Sequence, residues 1–118
     1  MAFQACHRFA KISPRKVRPL AAMIRGKFAD EALAILRYQP QRGARMLEKV
    51  INSALGSAQD PAQTRGKNVD VDNLIVADAR IDGGPMFKRV RPRARGMAFM
   101  IKKRMSHIRI TLADIDEI

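Results

Sequence analysis

Apolar residues recur along this chain first with a helical period and then, past its middle, at every second position. In "ISPRKVRPLAAMIRGK", Val17, Leu20, Ala21 and Ile24 fall on one helical face. Ser13 stands where an N-cap belongs, and Pro14 takes the first helical position, where its missing N–H costs nothing. Gly26 suits the stop, whereas Pro19 removes an interior hydrogen bond and predicts a bend. "ADEALAILRYQP" predicts a second helix that has Asp30 and Glu31 in its first turn and ends before Pro40. From about Gln41 to Gln59, the spacing of Leu47, Val50, Ile51, Ala54 and Ala58 marks a third.

After "QDPAQTRGKN" the period shortens to two. Val69 and Val71 alternate with Asp70 and Asp72, and Ile75, Ala77, Ala79 and Ile81 continue one strand face. Near the other end, Ile108, Ile110 and Leu112 alternate with Arg109 and Thr111. Segments 74–82 and 106–112 are expected to pair as antiparallel strands, and residues 3–11, more weakly patterned, supply a third. The prediction is an α+β fold in one domain over 1–118, three helices packed on a small antiparallel sheet. Everything between the two paired strands is then an arm over about residues 81–105, two legs of about ten residues and on the order of 30 Å long.

Charge changes this picture most in the arm. The chain carries a formal net charge of +12. Residues 1–29 hold seven basic residues and no acid, 30–82 hold seven basic and eight acidic, and 83–113 hold nine basic and none. A surface selected for solubility mixes signs; two acid-free zones around a neutral middle predict dedicated anion-binding surfaces. Arg89, Arg91, Arg93 and Arg95 occupy every second position, so an extended backbone would line four guanidinium groups along one face. Pro92 and Gly96 set the expected tip within 91–97. A projecting two-stranded ribbon is marginal in water, and like charges weaken it further, so the arm suits a densely anionic surrounding. Phe87, Val90, Met97, Phe99, Met100 and Ile101 remain for contacts with bases, another protein or the body.

Candidate chemistry is sparse. Cys6 and His7 lack the partner set of a zinc site. Asp70, Asp72 and Asp78 read as acids on an exposed strand face, and "GGP" at Gly83–Pro85 reads as a turn without the Lys-Ser/Thr of a phosphate loop. No nucleophile–base arrangement or carboxylate pair is evident, so no enzyme, cofactor or metal is expected. The single cysteine excludes an intrachain disulfide and fits a reducing compartment, with cytoplasm the default. No stretch reaches the ~18 apolar residues of a spanning helix.

Read in order, "ISPRKVRPLAAMIRGK", "EALAIL", "LEKVINSA", "DNLIVADARIDGGP", "FKRVRPRARG" and "KKRMSHI" resemble the bacterial large-subunit ribosomal protein twenty-two family over about residues 5–112. The resemblance implies three helices against a three-stranded sheet, with a long hairpin at about Ile81 to Met105. It implies binding to large-subunit (23S-type) rRNA, a part in subunit assembly, and a hairpin lining the nascent-peptide tunnel beside large-subunit protein four. Expected partners are that rRNA, neighbouring large-subunit proteins and the nascent peptide, with no membrane and no homo-oligomer. Pro19, the segment "AQDPAQTRGK", Met97 and Met100 depart from the family pattern.

The residues expected on RNA are Lys88, Arg89, Arg91, Arg93, Arg95, Lys102, Lys103 and Arg104 in the arm, and Arg8, Lys11, Arg15, Lys16, Arg18, Arg25 and Lys27 near the N-terminus. The helix opening at Pro14 adds free N–H groups, and His107 a further polar contact. The expected hairpin tip comprises Phe87, Val90, Arg91, Pro92, Arg93, Ala94, Arg95, Gly96 and Met97. A competing expectation is a free regulatory nucleic-acid-binding protein that lays the basic ribbon in a groove. A cationic membrane-surface domain fits less well, because that role puts the charges on an amphipathic helix.

Overall fold

A computed structural model describes residues 2–60, 70–92 and 94–115. Strand β1 (Ala2–Ala10) leads into helices α1 (Pro14–Ile24), α2 (Ala29–Arg37) and α3 (Arg42–Gln59). Strands β2 (Leu74–Pro92) and β3 (Ala98–Asp114) complete an antiparallel sheet of order β1-β3-β2. The longest dimension is 65 Å against 28 and 19 Å, because the distal halves of β2 and β3 leave the body as a hairpin.

The apolar helical faces bury as their spacing predicts. Val17, Leu20, Ala21 and Ile24 of α1, Ala32 and Leu36 of α2, and Leu47, Val50, Ile51, Ala54 and Ala58 of α3 pack on Ile108, Ile110 and Leu112 of β3. α1 continues through Pro19, which is exposed; the hydrogen bond it cannot donate would go to Arg15, on the same solvent side. Ser13 is the N-cap by position, but its side chain makes no cap hydrogen bond. At the other end Gly26, with φ 78°, stops the helix and donates its N–H to the Val76 carbonyl, tying the stop to the sheet.

Three strand expectations are corrected. Val71 and Asp72 lie not in a strand but in a 3₁₀ turn, Val71–Asn73, in which the Asp70 carboxylate accepts from the Asp72 N–H. Asp70 and Asp72 are therefore turn formers, and the Asp78 carboxylate lies 3.5 Å from Arg80. Val69 lies outside the described residues. The buried set of β2 is Leu74, Val76, Ala79 and Ile81, because a register shift between Val76 and Asp78 changes the phase and leaves Ala77 exposed. Finally, "GGP" is no turn: it lies within β2 at a second register shift, between Gly83 and Met86. A Cβ on Gly84 would stand 3.2 Å from the Met105 carbonyl, so the close approach of the two strands there calls for glycine.

At this second shift the sheet passes from body to arm. Ser106, fully buried, donates its hydroxyl to the Ile12 carbonyl at 2.5 Å and fastens β3 to the β1–α1 connection. Ser106→Ala is expected to cost about 1–3 kcal/mol by stranding that buried carbonyl. Chemical denaturation would check it; a loss below ~0.5 kcal/mol would mean that water takes over the bond.

Candidate nucleic-acid interface

Past Ile81 the arm stands clear of the core, and every described residue from Pro85 to Met100 is exposed. Pairing runs in register from Met86↔Arg104 to Pro92↔Ala98, and the chain reverses through Ala94–Gly96. Gly96 has φ 72° and Arg95 has φ 61°, so both turn residues are left-handed. The four-arginine row is thereby corrected. Arg89 and Arg91 share one side of β2, Arg95 belongs to the turn, and Arg93 lies outside the described residues. Phe87 pairs with Lys103 toward the root of the hairpin, not at its tip.

Cross-strand partners point to the same side of a hairpin. Phe87, Arg89 and Arg91 therefore share a side with Lys103, Ile101 and Phe99, and the Arg89 guanidinium sits 5.4 Å from the Phe87 ring centroid. The other side carries Lys88 against Lys102 at the root, then Val90 against Met100 and Pro92 against Ala98. Cations occupy both sides at the root, and toward the tip one side becomes uncharged.

The root does not stand alone. A groove of about 740 Å³ separates it from the body, lined from the arm by Phe87, Arg89, Ile101, Lys102, Lys103, Arg104 and Met105. Lys11, Ile12, Ser13, Lys16 and Arg42 line it from the body. Seven of those lining residues are Lys or Arg and none is acidic. Ser13 and Lys16 belong to the start of α1, and Arg42 opens α3. Neither helix has an acid in its first turn or a side-chain cap, so both N-terminal dipole ends add positive potential there. Arg42 also donates to the Lys11 carbonyl, which pins the groove's body wall. Sequence reasoning missed Arg42; the available signal was an arginine at the first position of a helix whose first turn holds no acid.

Two of the predicted cations, though exposed, are engaged by the protein's own backbone. Arg25 donates through Nε and Nη2 to the Ala79 carbonyl at 3.0 and 2.6 Å, and Arg18 reaches the Ile81 carbonyl at 3.4 Å from both nitrogens. β2 is an edge strand, and these arginines occupy its outer carbonyls where residues 26–28 leave off. Arg15 and Lys27 are exposed. Arg8 and His107 belong to the sheet face that none of the described helices covers, where His107 Nδ1 accepts from the Phe9 N–H at 3.1 Å. No group of three or more His, Cys, Asp or Glu among the described residues is disposed to hold a metal, and no described helix is long and apolar enough to cross a membrane.

This architecture can be compared with known proteins. The family model described as ribosomal protein L22p/L17e matches residues 5–113. A protein of Rhodopirellula baltica named large ribosomal subunit protein uL22 is 62% identical over 116 residues, 98% of each chain. Proteins of the same name from Caldicellulosiruptor saccharolyticus and Maridesulfovibrio salexigens are 49% and 45% identical, covering 91% and 98% of this chain and 84% and 100% of their own.

Proposed function

Because the chain belongs to the ribosomal protein L22p/L17e family, we propose that it is a structural, non-catalytic constituent of the large subunit of a cytoplasmic ribosome. In this reading it binds large-subunit rRNA, aids subunit assembly, and extends its hairpin along the nascent-peptide tunnel beside protein four. The observation that carries the RNA-binding part is the acid-free groove between hairpin root and body, with Lys11, Lys16, Arg42, Arg89, Lys102, Lys103 and Arg104 around it.

Such a groove acts by neutralisation. RNA segments that repel one another approach when lysine and arginine replace their condensed counterions, whose release drives binding. Arginine adds bidentate contact to phosphate, lysine a point charge. A-form RNA hides its base edges in a deep major groove, so recognition here rests on shape, phosphate and 2′-OH. The uncharged side near the tip, Val90 with Met100 and Pro92 with Ala98, suits a passage through which peptides of varied charge must slide without sticking.

The test is salt dependence. Replacing Lys102, Lys103 and Arg104 together by alanine is expected to weaken binding to a large-subunit rRNA fragment about a hundredfold at physiological salt and to lower the log–log salt slope by about 2. All three are exposed, so the melting temperature should stay put. An unchanged slope would mean that these cations do not meet phosphate. In-cell UV crosslinking of the intact chain tests the setting: adducts concentrated in large-subunit rRNA support it, and adducts spread over messenger RNA or DNA overturn it.

A further inference from the structure

Away from the hairpin groove, the sheet face opposite the described helices carries a feature that phosphate neutralisation does not require. Between His7 and Ala10 the register of β1 against β3 slips, and Phe9 takes φ 57°. The residue at such a bulge is ordinarily glycine, and a bulky aromatic there is a strained choice. The strain gains no burial: Phe9 is 56% exposed. Instead its N–H is held by His107 Nδ1, and its ring meets the imidazole edge-to-face with centroids 5.0 Å apart. Accepting at Nδ1 puts the proton of the neutral ring on Nε2.

Around this pair lies a concavity of about 250 Å³ lined by Cys6, Arg8, Phe9, Asp82, His107 and Arg109. Its electrostatics are mixed. Arg109 stands directly opposite Arg80 across the sheet, and because Arg80 already has the Asp78 carboxylate at 3.5 Å, Arg109 is the cation of the pair left to meet an anion. Asp82 is the register partner of His107 and has no ion pair among the described residues. A carboxylate facing phosphate would repel it. Beside an exposed aromatic ring, the same carboxylate can accept from the amino group of a nucleobase.

We propose that this concavity takes one unpaired nucleobase of single-stranded RNA, stacked on the Phe9 ring, with its amino edge at Asp82 and its phosphates at Arg8 and Arg109. The left-handed backbone of Phe9 serves to aim the ring out of the sheet, as the exposed aromatics of other RNA-binding sheets do. The site lies apart from the hairpin groove, and the inference rests on the RNA-binding reading above.

The experiment uses the full chain and two probes, a ten-nucleotide oligocytidylate carrying 5-iodocytidine and a blunt RNA duplex of ten base pairs. Illumination is expected to couple the oligonucleotide to Phe9, located by peptide mapping. Phe9→Gly, which suits a positive φ, should weaken oligocytidylate binding about tenfold, the scale of one base–aromatic stack. The salt slope should not move, because no charge is lost. Duplex binding should change less than twofold, and Phe9→Tyr should behave as the parent chain. Phe9→Asn, another residue that tolerates this backbone, repeats the test should the glycine variant not fold. Adducts only at other residues, or unaltered oligocytidylate binding by Phe9→Gly, would overturn the base site and leave RNA binding standing. If the parent chain binds neither probe, the RNA-binding reading falls with it.

Discussion

Deleting Met86–Ala98 is expected to leave the melting temperature of the body within a few degrees of the parent while removing most of the affinity for large-subunit rRNA. The deleted segment contributes nothing to the buried cluster, and its described residues are all exposed. Its loss forfeits cross-strand pairs in a ribbon that is marginal by itself. Leu74, Val76, Ala79 and Ile81 keep their partners on β3, and the Arg18 and Arg25 bonds to the β2 edge remain. Binding loses Arg89 from the groove together with Lys88, Arg91, Arg93 and Arg95. Each phosphate contact removed lowers the salt slope by ~0.7–0.9, so the slope should fall by about 3 or more. Differential scanning calorimetry and salt-titrated binding read the two effects separately. An unfolded deletion product would mean that the arm belongs to the core, and the picture of a body with a projecting ribbon would fail.

Leu47→Ala is expected to do the opposite, with a cost of about 2–5 kcal/mol from one side chain. Leu47 is fully buried in α3, whose buried face packs on α1, α2 and the sheet. Gly43, one turn earlier, already brings its backbone so near α1 that a Cβ there would lie 3.2 Å from Leu20 and 3.3 Å from Val17. Helices held that closely have little freedom to collapse into the space a leucine leaves, which puts the cost toward the upper end. A domain of this size shifts by several degrees per kcal/mol, so the melting temperature should fall on the order of 10–20 °C. The folded fraction should bind rRNA with the parent's salt slope, since every cation of the groove is retained. A loss below 1 kcal/mol would show that the α1–α3 contact is looser than the glycine approach implies.

Whatever depends on neighbours along the chain is legible in the order of residues. The three helices follow from apolar residues three and four apart, and their starts and stops from Pro14, Asp30, Pro40 and Gly26. Alternation at 106–112 placed β3, and the acid-free run from Gly83 to Ala113 located the arm and its charge. What depends on pairing came from the fold. The register shift at Val76/Asp78 split the face that strict alternation had given Ile75, Ala77, Ala79 and Ile81, because one extra residue in a period of two exchanges inside for outside, and the shifts at Gly83/Met86 and before Ala10 had no signal in the spacing. Helix packing against the edge of β2 drew Arg18 and Arg25 onto backbone carbonyls, a use that no spacing along the chain encodes. The groove and the Phe9–His107 pair join residues some 30 to 100 positions apart. Charge and periodicity are properties of a segment, whereas a site is a property of what the fold brings alongside it.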